Sequence, residues 1–179
     1  FQREGNVTFL REEGTRKDFS LNAIPLVQTE NSAITSTRIR EALLVGSVED
    51  ARALLGRAYS VTGEVIHGDA RGRTIGFPTA NISVWDSQML PSYGVYAGYA
   101  IIDNERYAAV TNIGVRPTFE GQIERVEVYI LDFTGDIYGK TIAFEFEKKL
   151  RGEKKFTDLE SLIAQIQEDV KQARNLLLG

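Results

Sequence analysis

The chain has 179 residues, of which 42% are hydrophobic and 26% charged, with a formal net charge of −4. That composition supports a packed core and excludes disordered and fibrous classes, and the acidic balance disfavours a general nucleic-acid binder, which carries a basic footprint. There is no cysteine, which excludes a disulfide framework, a zinc–thiolate site and a cysteine nucleophile.

No apolar run approaches the roughly 18 residues needed to span a bilayer, and no charged-then-apolar secretory pattern is present. A soluble intracellular protein is expected. In residues 1–56, Val7-Thr8-Phe9-Leu10 reads as a strand. Because Phe1 stands just ahead of it, a fragment of something longer is expected, with Val7, Phe9 and Leu10 exposed. Helical spacing follows at Ile39, Ala42 and Leu43, then at Val48, Ala51, Leu54 and Leu55. Gly46 suits a helix C-terminus and Ser47 suits the cap of a second helix. Ser36-Thr37-Arg38-Ile39-Arg40 opens the first helix with hydroxyls and two arginines. That pattern suits a phosphate site, and helix capping alone explains it equally well.

Residues 57–150 are strand-rich. Runs at 61–66, 94–102, 108–113, 126–133 and 141–146 alternate or stay apolar, separated by turn signals at Asp103-Asn104, Glu120-Gly121 and Thr134-Gly135-Asp136. With no long helical pattern between them, an antiparallel barrel or sandwich follows.

Within this region, Gly68-Asp69-Ala70-Arg71-Gly72-Arg73-Thr74-Ile75-Gly76-Phe77-Pro78-Thr79-Ala80-Asn81 carries the strongest chemical signal. Small residues let backbone amides approach phosphate, and arginines add charge-assisted hydrogen bonds. On an extended chain Thr79 and Asn81 point the same way, and both are neutral oxygen ligands that Mg²⁺ accepts when phosphates supply the negative charge. The competing reading is a solvated loop followed by a strand that starts at Pro78.

His67 is the only histidine. It has no partner motif for a catalytic triad or a zinc site, and reads as a loop residue beside phosphate or as a solvated one. Glu127 shares a strand face with Tyr129, Leu131 and Phe133. A carboxylate there needs a partner or a task. It suits a general base whose pKa desolvation raises, or a rim carboxylate bonded to Arg125 or Arg116. Gly135-Asp136-Ile137-Tyr138-Gly139-Lys140-Thr141 imitates a phosphate-binding P-loop but is one residue short between its glycines and runs into an alternating strand pattern. It reads as a hairpin turn. Arg151-Gly152-Glu153-Lys154-Lys155-Phe156 is either a charged linker or a source of cations and an aromatic ring for an anionic or planar ligand. A helix over 157–177 closes the chain. Thr157-Asp158-Leu159-Glu160 has the capping-box pattern, and Leu159, Leu162, Ile163, Ile166, Val170, Ala173 and Leu177 form a stripe expected to pack on the barrel.

Together these segments resemble the bacterial bifunctional riboflavin kinase/FAD synthetase family. The resemblance rests on residues 63–82 with their Pro78-Thr79-Ala80-Asn81 core, on Leu90-Pro91-Ser92-Tyr93-Gly94-Val95-Tyr96-Ala97 and on Thr111-Asn112-Ile113-Gly114-Val115-Arg116-Pro117-Thr118-Phe119. Residues 126–139 and 150–156 complete it, in order along the whole chain. It implies a mainly β fold: a six-stranded antiparallel Greek-key barrel with a C-terminal α-helix, preceded by a small α/β remnant. Residues 57–179 would be the riboflavin kinase domain and residues 1–56 the C-terminal remnant of the FMN adenylyltransferase domain, with Ile34 to Arg40 as its nucleotide-binding helix start.

The resemblance further implies transfer of the ATP γ-phosphoryl group to the 5′-hydroxyl of riboflavin, giving FMN and ADP. Glu127 matches the catalytic base. Thr79 and Asn81 match the positions that meet Mg²⁺ and the ATP phosphates, Gly68 and Arg73 lie in the flap over the nucleotide, and Tyr138 lines that site. Flavin contacts fall on Arg151 and Lys154. The implied partners are riboflavin, FMN, ATP and ADP in the cytoplasm, with no nucleic acid and no membrane, and the rest of the adenylyltransferase portion belongs to the full-length family. That portion uses a His-x-Gly-His motif, which a chain whose one histidine is His67 cannot contain, so FAD synthesis by these residues is not expected. Two rivals stand beside this reading: a non-catalytic flavin- or nucleotide-binding barrel, and a small barrel that binds single-stranded nucleic acid.

Overall fold

A computed structural model describes residues 6–25, 27–29, 32–68, 71–85, 87–118 and 121–179. Asp69 and Ala70 of the glycine-rich loop, Phe119 and Glu120, and the side chain of Arg116 lie outside that description. The chain divides into two compact units, Phe1–Thr35 and Ser36–Gly179.

The first unit holds helix α1 (Val7–Lys17) and a two-stranded hairpin of β1 (Gln28–Thr29) and β2 (Ser32–Ala33). The strand expected at residues 7–10 is therefore a helix. Its termini override the β preference of Val7-Thr8-Phe9. Asn6 accepts the Phe9 N–H at 2.8 Å as N-cap, and Asp18 ends the helix in the left-handed region with its N–H on the Gly14 carbonyl. Arg16 and Lys17 both pair with Glu13 in the last turn, where the helix dipole favours cations. Val7, Phe9 and Leu10 are exposed, as expected.

The second unit begins with α2 (Ser36–Val45) and α3 (Val48–Leu55) and continues through β3 (Ser60–Ile66), α4 (Arg71–Thr74), β4 (Ala80–Val84), β5 (Gly94–Ile102), β6 (Glu105–Thr118), β7 (Gly121–Ile130), β8 (Thr141–Arg151) and α5 (Leu159–Leu178). The six strands close into an antiparallel barrel in the order β3-β4-β7-β6-β5-β8. Strands β5, β6 and β7 follow one another by tight turns, and β8 returns to lie beside β5, which is a Greek key. The segment 131–140 leads into a strand rather than a helix, so the P-loop reading fails as expected. It is not a hairpin turn, however, because β7 and β8 are not paired. It crosses the barrel end, held by Gly139 N–H on the Val65 carbonyl and Val65 N–H on the Lys140 carbonyl, each at 2.9 Å.

Strand alternation sends Val61, Val65, Ile82, Ile113, Val126, Val128, Phe144 and Phe146 inward, all 5% exposed or less. Leu43, Val48 and Ala51 join this core, at 2%, 0% and 0% exposure. Helices α2 and α3 thus pack with the barrel, and the compact division falls at Thr35/Ser36. Ser92 N–H caps the Leu43 carbonyl at 2.9 Å, and Lys149 Nζ donates to Ser92 Oγ at 2.6 Å. Gly46 turns in the left-handed region (φ 79°), where a Cβ would lie 2.6 Å from Lys149 Nζ. Ser47 does not cap α3 through a backbone N–H; its hydroxyl donates to Asp50 Oδ2 at 2.6 Å.

A second apolar cluster lies on the outer face. Val95, Ala97, Ala108 and Val110 are covered by Val170, Ala173 and Leu177 of α5, so the C-terminal stripe packs on the barrel. The cap of α5 is Asp158, one residue later than the capping-box reading. Its carboxylate accepts the Ser161 N–H at 2.7 Å, while Thr157 Oγ1 donates to Asp158 Oδ2 at 2.8 Å. Among the described residues, no helix is long and apolar enough to cross a membrane.

Candidate active site

Residues paired directly across antiparallel strands share a face. Asn81, Glu127, Asn112, Val95 and Arg151 are successive partners across β4, β7, β6, β5 and β8. They form one row around the outside of the barrel. Glu127 is therefore not buried in the core. Its side chain is 32% exposed and sits 3.5 Å from Arg125 Nη1, the ion-pair partner weighed against a catalytic role. On the inner side, the fully buried Thr111 donates its hydroxyl to the Glu127 carbonyl at 3.1 Å and pins this rung of β7.

Two cavities meet beside this row. One, of about 420 Å³, lies over the barrel end and is lined by Arg73, Pro78, Thr79, Ala80, Asp136 and Tyr138, with Val128, Ile130 and Phe133 among its apolar walls. The crossing segment 131–140 supplies one wall, and Asp136 Oδ1 accepts the Tyr138 N–H at 3.0 Å. Tyr138 stacks on His67 with ring centroids 4.0 Å apart. The other cavity, of about 370 Å³, lies between the outer row and α5. Thr79, Asn112, Glu127, Tyr129, Arg151 and Lys154 line it, with Phe77, Phe156 and Ile166 giving it apolar surface. Phe77 meets Tyr129 edge-on at 5.5 Å. Thr79 lines both cavities.

Between them runs the segment 71–78, where a single helical turn, α4, stands in place of the expected loop. Phe77 N–H bonds back to the Gly72 carbonyl at 2.8 Å. Gly68 and Asn81 line a third cavity, of about 690 Å³, with His67, Trp85 and Arg125. A Cβ on Gly68 would lie 2.1 Å from Asn81 Nδ2, so a larger residue there would displace that amide. The expected sites are thus brought together in part. Arg73, Thr79 and Tyr138 share the first cavity, and Thr79, Glu127, Arg151 and Lys154 share the second. Asn81 shares a rung with Glu127 but opens on neither cavity.

A divalent cation fits this donor set on one condition. Among the described residues no cluster of three or more His, Cys, Asp or Glu exists, so the charge must come with the ligand's phosphates. Thr79, at the junction of the cavities, offers the neutral oxygen such an ion accepts.

Asp169 went unseen in the sequence. It is 3% exposed on the face of α5 between Ile166 and Ala173, and it receives Arg151 through three hydrogen bonds of 2.9–3.0 Å. An acidic residue at stripe spacing was the available signal. Asn112, the cross-strand partner of Glu127, also received no role.

The family model described as Flavokinase: Riboflavin kinase matches residues 55–177. The chain belongs to the riboflavin kinase family. Among relatives of this chain, the bifunctional riboflavin kinase/FMN adenylyltransferase of Bacillus subtilis is 46% identical over 147 residues, covering 80% of this chain and 46% of the relative. The Pseudomonas fluorescens protein of the same description is 38% identical over 175 residues, covering 97% and 56%. The chain therefore spans about half the length of these relatives. A crystal structure of a macrolide-efflux protein from Streptococcus pneumoniae superposes with a TM-score of 0.81 at 39% identity, covering 91% of this chain and 54% of that one. The riboflavin kinase of Trypanosoma brucei gives a TM-score of 0.50 at 25% identity, over 66% and 79%.

Proposed function

We propose that this chain transfers the γ-phosphoryl group of ATP to the 5′-hydroxyl of riboflavin. The observation that carries the reading is the position of Thr79 at the junction of two cavities, one with Arg73 and Tyr138, the other with Glu127 and α5. A phosphoryl donor and an acceptor bound on either side of it would bring their reacting atoms together, and positioning supplies most of the catalysis in phosphoryl transfer. ATP occupies the barrel-end cavity, with the nucleotide against Tyr138 and the phosphates toward Arg73 and Thr79. Riboflavin occupies the cavity under α5, between Phe77, Tyr129 and Phe156, with Arg151 and Lys154 at its wall.

Glu127 takes the proton from the 5′-hydroxyl as that oxygen bonds to the γ-phosphorus, the bond to the β-bridging oxygen breaks, and ADP leaves. Arg125 and the Thr111 bond to the Glu127 carbonyl hold the carboxylate in place. Mg²⁺ arriving with ATP would supply positive charge to the phosphates; Thr79, which lines the ATP cavity, would hold it, joined by Asn81 from the neighbouring cavity beside Gly68 of the flap. Residues 68–76 act as a flap whose closure excludes water. Membership of the kinase family favours catalysis over a passive flavin carrier.

The same reading makes residues 1–56 the tail of an adenylyltransferase module and residues 57–179 the kinase module, working in the cytoplasm. Residues 1–179 alone make no FAD. Incubation with riboflavin and Mg·ATP, followed by chromatography, should yield FMN and no FAD. Absence of FMN would overturn the kinase assignment, and conversion of added FMN to FAD would overturn the second.

A further inference from the structure

The cavity under α5 is lined by two cations, Arg151 and Lys154, and by three carboxylates, Glu127, Glu153 and Asp169. Arg125 stands 3.5 Å from Glu127 and balances that carboxylate. Asp169 decides the state of Arg151. Its buried carboxylate takes Arg151 Nε at 3.0 Å on both oxygens and Nη2 at 2.9 Å, and Gln165 Nε2 adds a bond at 3.0 Å. Arg151 Nη1 donates to the Gly152 carbonyl at 3.1 Å. The guanidinium, the group best suited to bind an anion in fork geometry, is already committed to a carboxylate. Lys154 is engaged as well, with Nζ 3.2 Å from Gln165 Oε1 and 5.6 Å from the Phe156 ring centre.

On the kinase reading, on which this step rests, the substrate is an uncharged flavin and the product carries a phosphate of about −1.5 to −2 charge. We infer that Asp169, by neutralising Arg151, makes this cavity select the uncharged flavin over its phosphorylated form. Asp169 is a specificity-determining residue that acts through Arg151, and product formation places new negative charge in a site whose arginine is already neutralised.

The test is fluorescence titration of the full chain with riboflavin and with FMN at low salt. Asp169→Asn should lower the ratio of the FMN Kd to the riboflavin Kd by about fivefold. The double variant Arg151→Gln/Asp169→Asn, which removes both charges, should return the ratio toward that of the unmodified chain. If Asp169→Asn does not fold, Glu153→Gln on the exposed segment after β8 should shift the ratio the same way by about twofold. Equal weakening of both ligands in Asp169→Asn marks a merely structural role and overturns the inference, as does an unchanged ratio in Asp169→Asn or, failing that, in Glu153→Gln. An unmodified chain that binds no riboflavin overturns the kinase reading itself; an unchanged ratio in a chain that makes FMN overturns this inference alone.

Discussion

Asn81 and Glu127 are direct partners across the β4–β7 ladder, so the amide proposed to meet the metal and the carboxylate proposed as base stand on one rung of the barrel. The rung is held from inside by the Thr111 hydroxyl on the Glu127 carbonyl. A slip of either strand would separate the two groups, and a wall built this way resists such a slip because its inner face is close-packed.

Replacing Glu127 by Gln keeps the shape and removes the proton acceptor. We expect kcat to fall by about 10²-fold or more, the usual weight of a positioned general base, with riboflavin affinity nearly unchanged. Steady-state kinetics with a parallel flavin titration checks this, and near-normal turnover would remove Glu127 from the role.

Thr79 and Asn81 should separate when each is changed to Ala. Thr79 lines both cavities, so Thr79→Ala should impair Mg·ATP use and riboflavin use together. Asn81 lines the cavity beside Gly68 rather than the flavin cavity, so on the reading that it joins Thr79 at the Mg²⁺, Asn81→Ala should raise the KM for Mg·ATP with little effect on flavin binding. A larger loss of flavin affinity in Asn81→Ala would sink the metal assignment.

Helices α2 and α3 should matter to the barrel even though the family match begins at residue 55. Leu43 is 2% exposed and Leu44 is 64% exposed. Leu43→Ala should cost about 2–5 kcal/mol of stability, the range for a core leucine, and Leu44→Ala within about 0.5 kcal/mol. Urea denaturation of the two variants gives the comparison, and equal midpoints would detach α2 from the core.

The cap of α5 has a pH signature. The Ser161 N–H, then the Thr157 hydroxyl, hold the Asp158 carboxyl below its ordinary value of 3.8. A carboxylate whose folded pKa is depressed adds stability above the unfolded value and loses it as the pH falls through the folded one. Asp158→Ala should therefore lower Tm at neutral pH, and the difference should shrink once the pH drops below about 3.8. Melting curves from pH 7 to pH 3 test this; a constant difference would exclude the carboxylate as its source.

Local patterns determined much of this protein. The unbroken apolar run 94–102 located β5 to the residue, because that strand is covered on both faces, by the core and by α5, and the alternating runs 61–66 and 141–146 lie inside β3 and β8, because a half-buried strand imposes a period of two. The stripe from Leu159 to Leu177 marked α5 for the same reason at a period of 3.6. Glu127, Thr79, Arg73 and Tyr138 were each legible as candidates from residue type and neighbours, or from resemblance. The helix at Val7–Lys17 was not, because its ends are set by the Asn6 and Asp18 caps rather than by apolar spacing.

What sequence spacing could not reach was decided by tertiary structure. The β7–β8 segment looks like a hairpin locally, and only barrel closure reveals it as a crossover that walls a cavity. The partnership of Arg151 with Asp169 spans 18 residues and two elements, and the meeting of two cavities at Thr79 depends on how β4, α4 and α5 are stacked. The glycine-rich segment with its threonine was recognisable as phosphate chemistry from residue types alone. Its division between a barrel-end cavity and a flavin-side cavity comes from strand register, which is set by which side chains the closed barrel must bury.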